Sequence, residues 1–147
     1  MELEPPKELE GVRRFIQENS LNHTLLLDTS AWIEFFIKSD RGKKVREVLS
    51  TKNCYTSIVS IAEISNFAIK QNINGKDLIK YVKGITKIIE LTEKISFFAG
   101  ELNYERKMMK NDWGMLDSFI LSTALMYNMK ILTKDNHFKD LPNVEMI

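Results

Sequence analysis

The stretch His23-Thr24-Leu25-Leu26-Leu27-Asp28-Thr29-Ser30-Ala31-Trp32-Ile33 decides the fold of this chain. Its consecutive apolar residues are too few for a helix and fit a strand covered on both faces. The run ends abruptly at Asp28, after which Thr29 or Ser30 can cap a helix over 31–37. An acid standing where such a strand leaves its sheet lies at the carboxyl edge, where open α/β sheets bind their ligands.

Residues 53–56, 87–91 and 130–133 read as further short strands, and 144–146 as a fifth, edge strand. Helix-period apolar residues occupy 57–70, 77–84, 93–110 (with Thr92 as cap) and 115–127. After the first helix, 39–42 reads as a turn and 43–49 as a helix turning Val45, Val48 and Leu49 inward. Alternating strands and helices predict an α/β domain, with a parallel sheet of four to five strands between helical layers. Residues 1–22 form an N-terminal extension; Leu9, Val12 and Ile16 after Pro5-Pro6 give it the spacing of a short amphipathic helix. The domain proper is 23–147.

At 147 residues, 44% hydrophobic and 28% charged, the composition is that of one globular domain. A net charge of +1 gives no global nucleic-acid signal, so contact with RNA or DNA must rest on local clusters. The densest basic group is Lys38, Arg41, Lys43, Lys44 and Arg46; such groups are more often solvated faces than phosphate contacts. Cys54 is the single cysteine, which excludes an internal disulfide, and His23 and His137 are the only histidines, too few for a Cys/His metal cluster. The acidic, proline-bearing N-terminus is unlike a signal peptide, and no apolar run approaches the roughly 18 residues of a membrane span. The expected compartment is the cytoplasm.

Four acids carry the chemistry: Asp28, Glu63, Asp117 and Asp135. Each has an ordinary explanation. Asp28 could be a turn residue before Thr-Ser, and Glu63 could close a capping box on Ser60. Asp117 could complement a helix dipole, and Asp135 could make an Asx turn. Against these, the helical pattern already runs through Ile58 and Val59, which puts Ser60 inside the helix. Asp117 shares a helix face with Ile120, Leu121 and Ala124, where a carboxylate is costly unless it is paired or bound to a metal. Asp135 repeats the order of strand, hydroxyl and acid seen at Asp28. Two strand ends and two helices bring all four to one edge of a parallel sheet. Like charges so placed raise one another's pKa values unless cations join them, and oxygen donors without His or Cys select Mg²⁺ or Mn²⁺.

Leu27-Asp28-Thr29-Ser30-Ala31, Ser60-Ile61-Ala62-Glu63-Ile64, the stretch from Leu116-Asp117 to Ala124, and the stretch from Leu132-Thr133 to His137-Phe138 together resemble the PIN-domain nucleases. The likeness is particularly to the small VapC-type toxins, from about residue 23 onward. The resemblance implies a three-layer α/β/α sandwich and Mg²⁺- or Mn²⁺-dependent endoribonuclease activity. Asp28, Glu63, Asp117 and Asp135 would form the metal site, and the Ser30 and Thr133 hydroxyls would orient the acids. It also implies a homodimer and, for toxins, a silencing antitoxin protein. Lys38, Arg41, Lys43, Lys44 and Lys134, with Lys107 as a further candidate, would hold the RNA backbone. The alternatives are an RNA-processing nuclease without antitoxin, a non-catalytic module of the same fold, and a phospho-receiver. The receiver would want paired acids after the first strand, where this chain has Asp28-Thr29-Ser30.

Overall fold

A computed structural model of the chain describes residues 24–147. The expected N-terminal helix, and His23, lie outside the described residues. Strand β1 (Thr24–Leu27) leads into α1 (Thr29–Phe36) and α2 (Asp40–Thr51). Then come β2 (Asn53–Ser57), α3 (Ile58–Lys70), α4 (Gly75–Ile85), β3 (Lys87–Ile89), α5 (Glu93–Met109) and α6 (Met115–Met126). Strand β4 (Lys130–Thr133), a 3₁₀ turn (Asn136–Phe138) and β5 (Val144–Met146) complete the order.

The five strands form one parallel sheet in the order β3-β2-β1-β4-β5. The chain therefore builds outward from β1 in one direction, then returns to lay β4 on its other side. That reversal between β1 and β4 is the switch point at which open α/β sheets form their crevice.

The Leu-Leu-Leu run shows why β1 is central. Leu26 is fully buried with Ile95, Phe98, Leu102, Ile120 and Leu121 of α5 and α6. Leu25 and Leu27 point the other way, into a second core with Trp32, Val45, Ile64 and Val82 of α1 to α4. In β4, Ile131 and Leu132 divide between the same two cores. Helices α1 to α4 thus cover one face of the sheet and α5 and α6 the other, a three-layer α/β/α sandwich. Each fully buried Leu or Ile contributes about 1.5–3 kcal/mol.

Several boundaries differ from the sequence reading. Residues 39–42 are not a turn: the Ser39 hydroxyl accepts from the Gly42 N–H at 3.0 Å and caps α2, whose first turn takes in Asp40 to Gly42. Gly42 is there because α2 starts hard against the end of α1, and a Cβ would stand 2.2 Å from the Glu34 carbonyl oxygen. The third strand stops at Ile89, and α4 begins at Gly75 with Asn74 as its cap. Thr92 caps α5 as expected, accepting from the Ile95 N–H at 3.1 Å. Among the described residues no helix is long and apolar enough to cross a membrane.

Candidate metal centre

Asp28 follows β1 directly and is 6% exposed. Its Oδ2 accepts from the Ser30 hydroxyl and from the Thr133 hydroxyl, each at 2.9 Å. These hydroxyls stand 3.1 Å apart and reach into the next strand's exit: Ser30 Oγ accepts from the Lys134 N–H at 3.0 Å, and Thr133 Oγ1 from the Asp135 N–H at 2.9 Å. The ends of β1 and β4 are laced together around one buried carboxylate. The N–H of Asp28 also donates to the Leu132 carbonyl at 3.0 Å.

Glu63 does not close a capping box. Ser57 caps α3 and Ser60 is buried inside it, so Glu63 is free to accept from the Thr29 hydroxyl at 2.7 Å. Thr29 is in turn bound to Ser60 at 3.0 Å. Asp117 serves two purposes: its Oδ2 accepts from the Gly114 N–H at 3.2 Å in the first turn of α6, and the carboxyl also faces the cluster. Asp135 does make the Asx turn, accepting from the His137 N–H at 2.9 Å, and that bond folds His137 back toward the acids.

Burial pushes the Asp28, Glu63 and Asp117 carboxyls above the usual range, and the neighbouring acids add to it. Asp28 feels Asp135; Glu63 feels Asp28, Asp117 and Asp135; Asp117 feels Asp135 and Asp28. Donor atoms of Asp117, Asp135 and His137 lie within 4.8 Å of one another.

His137 was invisible as a site residue in the sequence, where the donor set looked purely acidic. Its Nδ1 lies 3.4 Å from Asp135 Oδ1 and 3.8 Å from Asp117 Oδ2. That atom is buried and has no hydrogen-bond partner among the described residues. The opposite nitrogen, Nε2, meets Asp112 Oδ2 at 2.6 Å. The Asp112 carboxylate holds the imidazole above its ordinary pKa, with help from Asp135 and Asp117 and against the effect of burial. An Asx turn two residues before a histidine was the available clue.

A second pair without local signal fixes the loop after β4. Arg106 of α5 is 1% exposed, binds both carboxyl oxygens of Asp140 at 2.7 and 3.0 Å, and donates to the His137 carbonyl at 2.8 Å. Its guanidinium also lies over the Trp113 ring, 4.4 Å from the centroid.

The basic residues are distributed differently. Lys134 Nζ is paired with the buried Glu34 at 2.6 Å, Lys43 with Asp40 at 3.3 Å, and Arg41 Nε donates to the Ile147 carbonyl at 3.3 Å. Lys38, Lys43 and Arg46 line a groove of about 650 Å³ with Phe35, Phe36 and Tyr81, and none of the four acids opens onto it.

The donor set suits a divalent cation. Asp117, Asp135 and His137 bring donor atoms close enough to share one ion, and Asp28 and Glu63 stand outside that trio; the His137 Nδ1 is buried without a hydrogen-bond partner among the described residues, and hydroxyls and amides fix the acids in place.

Comparison with known proteins places this arrangement in a family. A toxin–antitoxin complex from Klebsiella pneumoniae superposes with a TM-score of 0.68 at 20% identity, over 83% of this chain and 96% of that one. VapBC2 from Rickettsia felis, bound to a DNA fragment from its promoter, gives 0.65 at 20% identity over 84% and 97%. VapC20 from Mycobacterium tuberculosis, described as a toxin cleaving the sarcin–ricin loop, gives 0.63 at 12% identity over 80% and 95%. At these identities the likeness is one of fold. No curated protein sequence matches the chain. The family model described as the PIN domain matches residues 25–144, a span that runs from β1 to β5 and holds all four acids, and the chain belongs to that family.

Proposed function

We propose that the protein is a metal-dependent endoribonuclease, with Asp28, Glu63, Asp117 and Asp135 as its catalytic, metal-holding acids and Mg²⁺ or Mn²⁺ as its cofactor. The observation that carries this reading is the electrostatic burden of the acids: Asp28, Glu63 and Asp117 are each pushed up chiefly by burial, with Asp135 adding to all three and Asp28 adding to Glu63 and Asp117. A fold gains nothing from such a cluster unless a cation shares it. A divalent ion held there would polarise a phosphoryl oxygen and lower the pKa of an attacking water.

The chain's own part is positioning. Ser30 and Thr133 fix Asp28 by both donating their hydroxyls to its Oδ2. Thr29 fixes Glu63 in the same manner. The exposed basic residues Lys38, Arg41, Lys43 and Lys44 would meet backbone phosphates, and Lys134 would do so only by leaving Glu34. The toxin–antitoxin complexes among the structures that share the fold support a toxin role with an antitoxin protein as partner; this reading also takes the cytoplasm as compartment and a homodimer as the working form.

The test is RNA degradation with Mn²⁺, with EDTA, and by Asp28→Asn. Cleavage by the parent that EDTA and Asp28→Asn both abolish is the expected result. Equal cleavage by parent and variant would remove the assignment. Co-purification of the product of a neighbouring reading frame tests the antitoxin partner.

A further inference from the structure

We propose that His137 is itself a ligand of the metal through Nδ1, oriented by Asp112, and that this nitrogen makes the centre discriminate in favour of first-row transition ions such as Mn²⁺ over Mg²⁺. The inference rests on the metal reading of the four acids.

Four observations support it. Asp117, Asp135 and His137 each offer a donor atom within 4.8 Å of the others, and His137 Nδ1 stands 3.4 Å from Asp135 Oδ1 and 3.8 Å from Asp117 Oδ2. Ligands at about 2.1 Å from a shared six-coordinate ion stand about 3.0 Å (cis) to about 4.2 Å (trans) apart. Nδ1 is buried and unpartnered although the His137 side chain as a whole is 31% exposed. In the neutral imidazole that a metal would bind, Asp112, which when ionised can only accept, takes the hydrogen on Nε2 at 2.6 Å and so leaves the lone pair on Nδ1. Finally, the His137 backbone is fixed on both sides, by its N–H on Asp135 and its carbonyl on Arg106.

A plain surface ion pair with Asp112, itself 74% exposed, would be screened by solvent and would not need the other nitrogen to face two carboxylates. Carboxylate behind imidazole behind metal is the usual way in which a ligating histidine is aimed. Oxygen donors suit Mg²⁺ and Mn²⁺ alike, whereas an imidazole nitrogen favours the transition ion.

The experiment uses the full chain stripped of metal, with MnCl₂ and MgCl₂ as probes. Calorimetry gives both affinities, and pulsed EPR of the Mn²⁺ complex gives nitrogen-14 coupling. The parent should show that coupling. His137→Gln should lose it and weaken Mn²⁺ binding about tenfold or more, while Mg²⁺ binding changes by less than about threefold. Asp112→Ala, on an exposed loop, should fall between them; no weakening there would sink the role given to Asp112. If Mn²⁺ binds the parent and not Asp117→Asn, but without nitrogen coupling or with an unchanged Mn²⁺/Mg²⁺ preference in His137→Gln, the ligand assignment is wrong and the acidic centre stands. If the parent binds no Mn²⁺, or Asp117→Asn binds it equally, the acidic centre falls and the ligand assignment with it.

Discussion

Arg106→Met removes the buried cation that ties the loop carrying Asp135 and His137 to α5. The substitution keeps an apolar stem of similar reach against Trp113, so the loss is chiefly polar. The His137 carbonyl loses a bond from a charged donor, worth about 1.5–3 kcal/mol. The pair with Asp140 is discounted to about 1 kcal/mol because that carboxyl is 46% exposed and returns to water. Loss of the guanidinium over Trp113 costs about another 1 kcal/mol. Arg106 Nε is buried without a hydrogen-bond partner among the described residues, and its removal offsets about 1 kcal/mol. The net expectation is a destabilisation of about 3 kcal/mol at neutral pH, measured by urea unfolding.

The pH dependence supplies a second test. Arg106 holds the Asp140 carboxyl below its unfolded value of 3.8. A group whose folded pKa is depressed adds stability above the unfolded value and loses it as pH falls through the folded one. The gap between parent and variant should therefore be constant from about pH 7 to pH 5 and narrow below about pH 4. A gap under about 0.5 kcal/mol at pH 7, or one that does not narrow in acid, would refute the reasoning.

Gly42→Ala places a Cβ 2.2 Å from the Glu34 carbonyl oxygen and 3.1 Å from Phe35 Cα, backbone atoms that cannot yield cheaply. It should cost about 1–3 kcal/mol in urea unfolding. Lys134→Ala leaves the buried Glu34 with Ser39 but without its cation, and should lower stability by about 1–2 kcal/mol. Cys54, whose thiol burial pushes up to about 11, should resist iodoacetamide in the folded protein at pH 8 and react on unfolding. Adding Mn²⁺ at about 100 times its dissociation constant to EDTA-treated protein should raise unfolding free energy by about 2.7 kcal/mol, and Asp117→Asn should show no such gain.

The sheet was legible because Leu25, Leu26 and Leu27 are apolar on consecutive positions, a pattern that only a strand buried on both faces requires. Asp28 and Asp135 stand out in the sequence because each follows an apolar strand, and Glu63 and Asp117 because each interrupts an apolar helical pattern. What escaped detection depends on through-space pairing. Nothing near Arg106 in sequence announces Asp140, 34 residues on, and nothing near His137 announces Asp112, 25 residues back. The Ser39–Gly42 segment was misread because its polar and glycine content suits a turn, whereas tertiary contact with Glu34 demands glycine inside a helix. Local sequence also does not reveal that Lys134 pairs with the buried Glu34, 100 residues away.

The strand order has a consequence during biosynthesis. Thr133, which anchors Asp28, is polymerised 105 residues after it, and β4 cannot take its place beside β1 until both flanking helices of the second face have been made. A ribosome that has delivered Asp28, Glu63 and Asp117 has delivered carboxylates with no assembled centre between them. Whatever hazard the finished molecule poses to the cell that makes it is withheld from the nascent chain by topology.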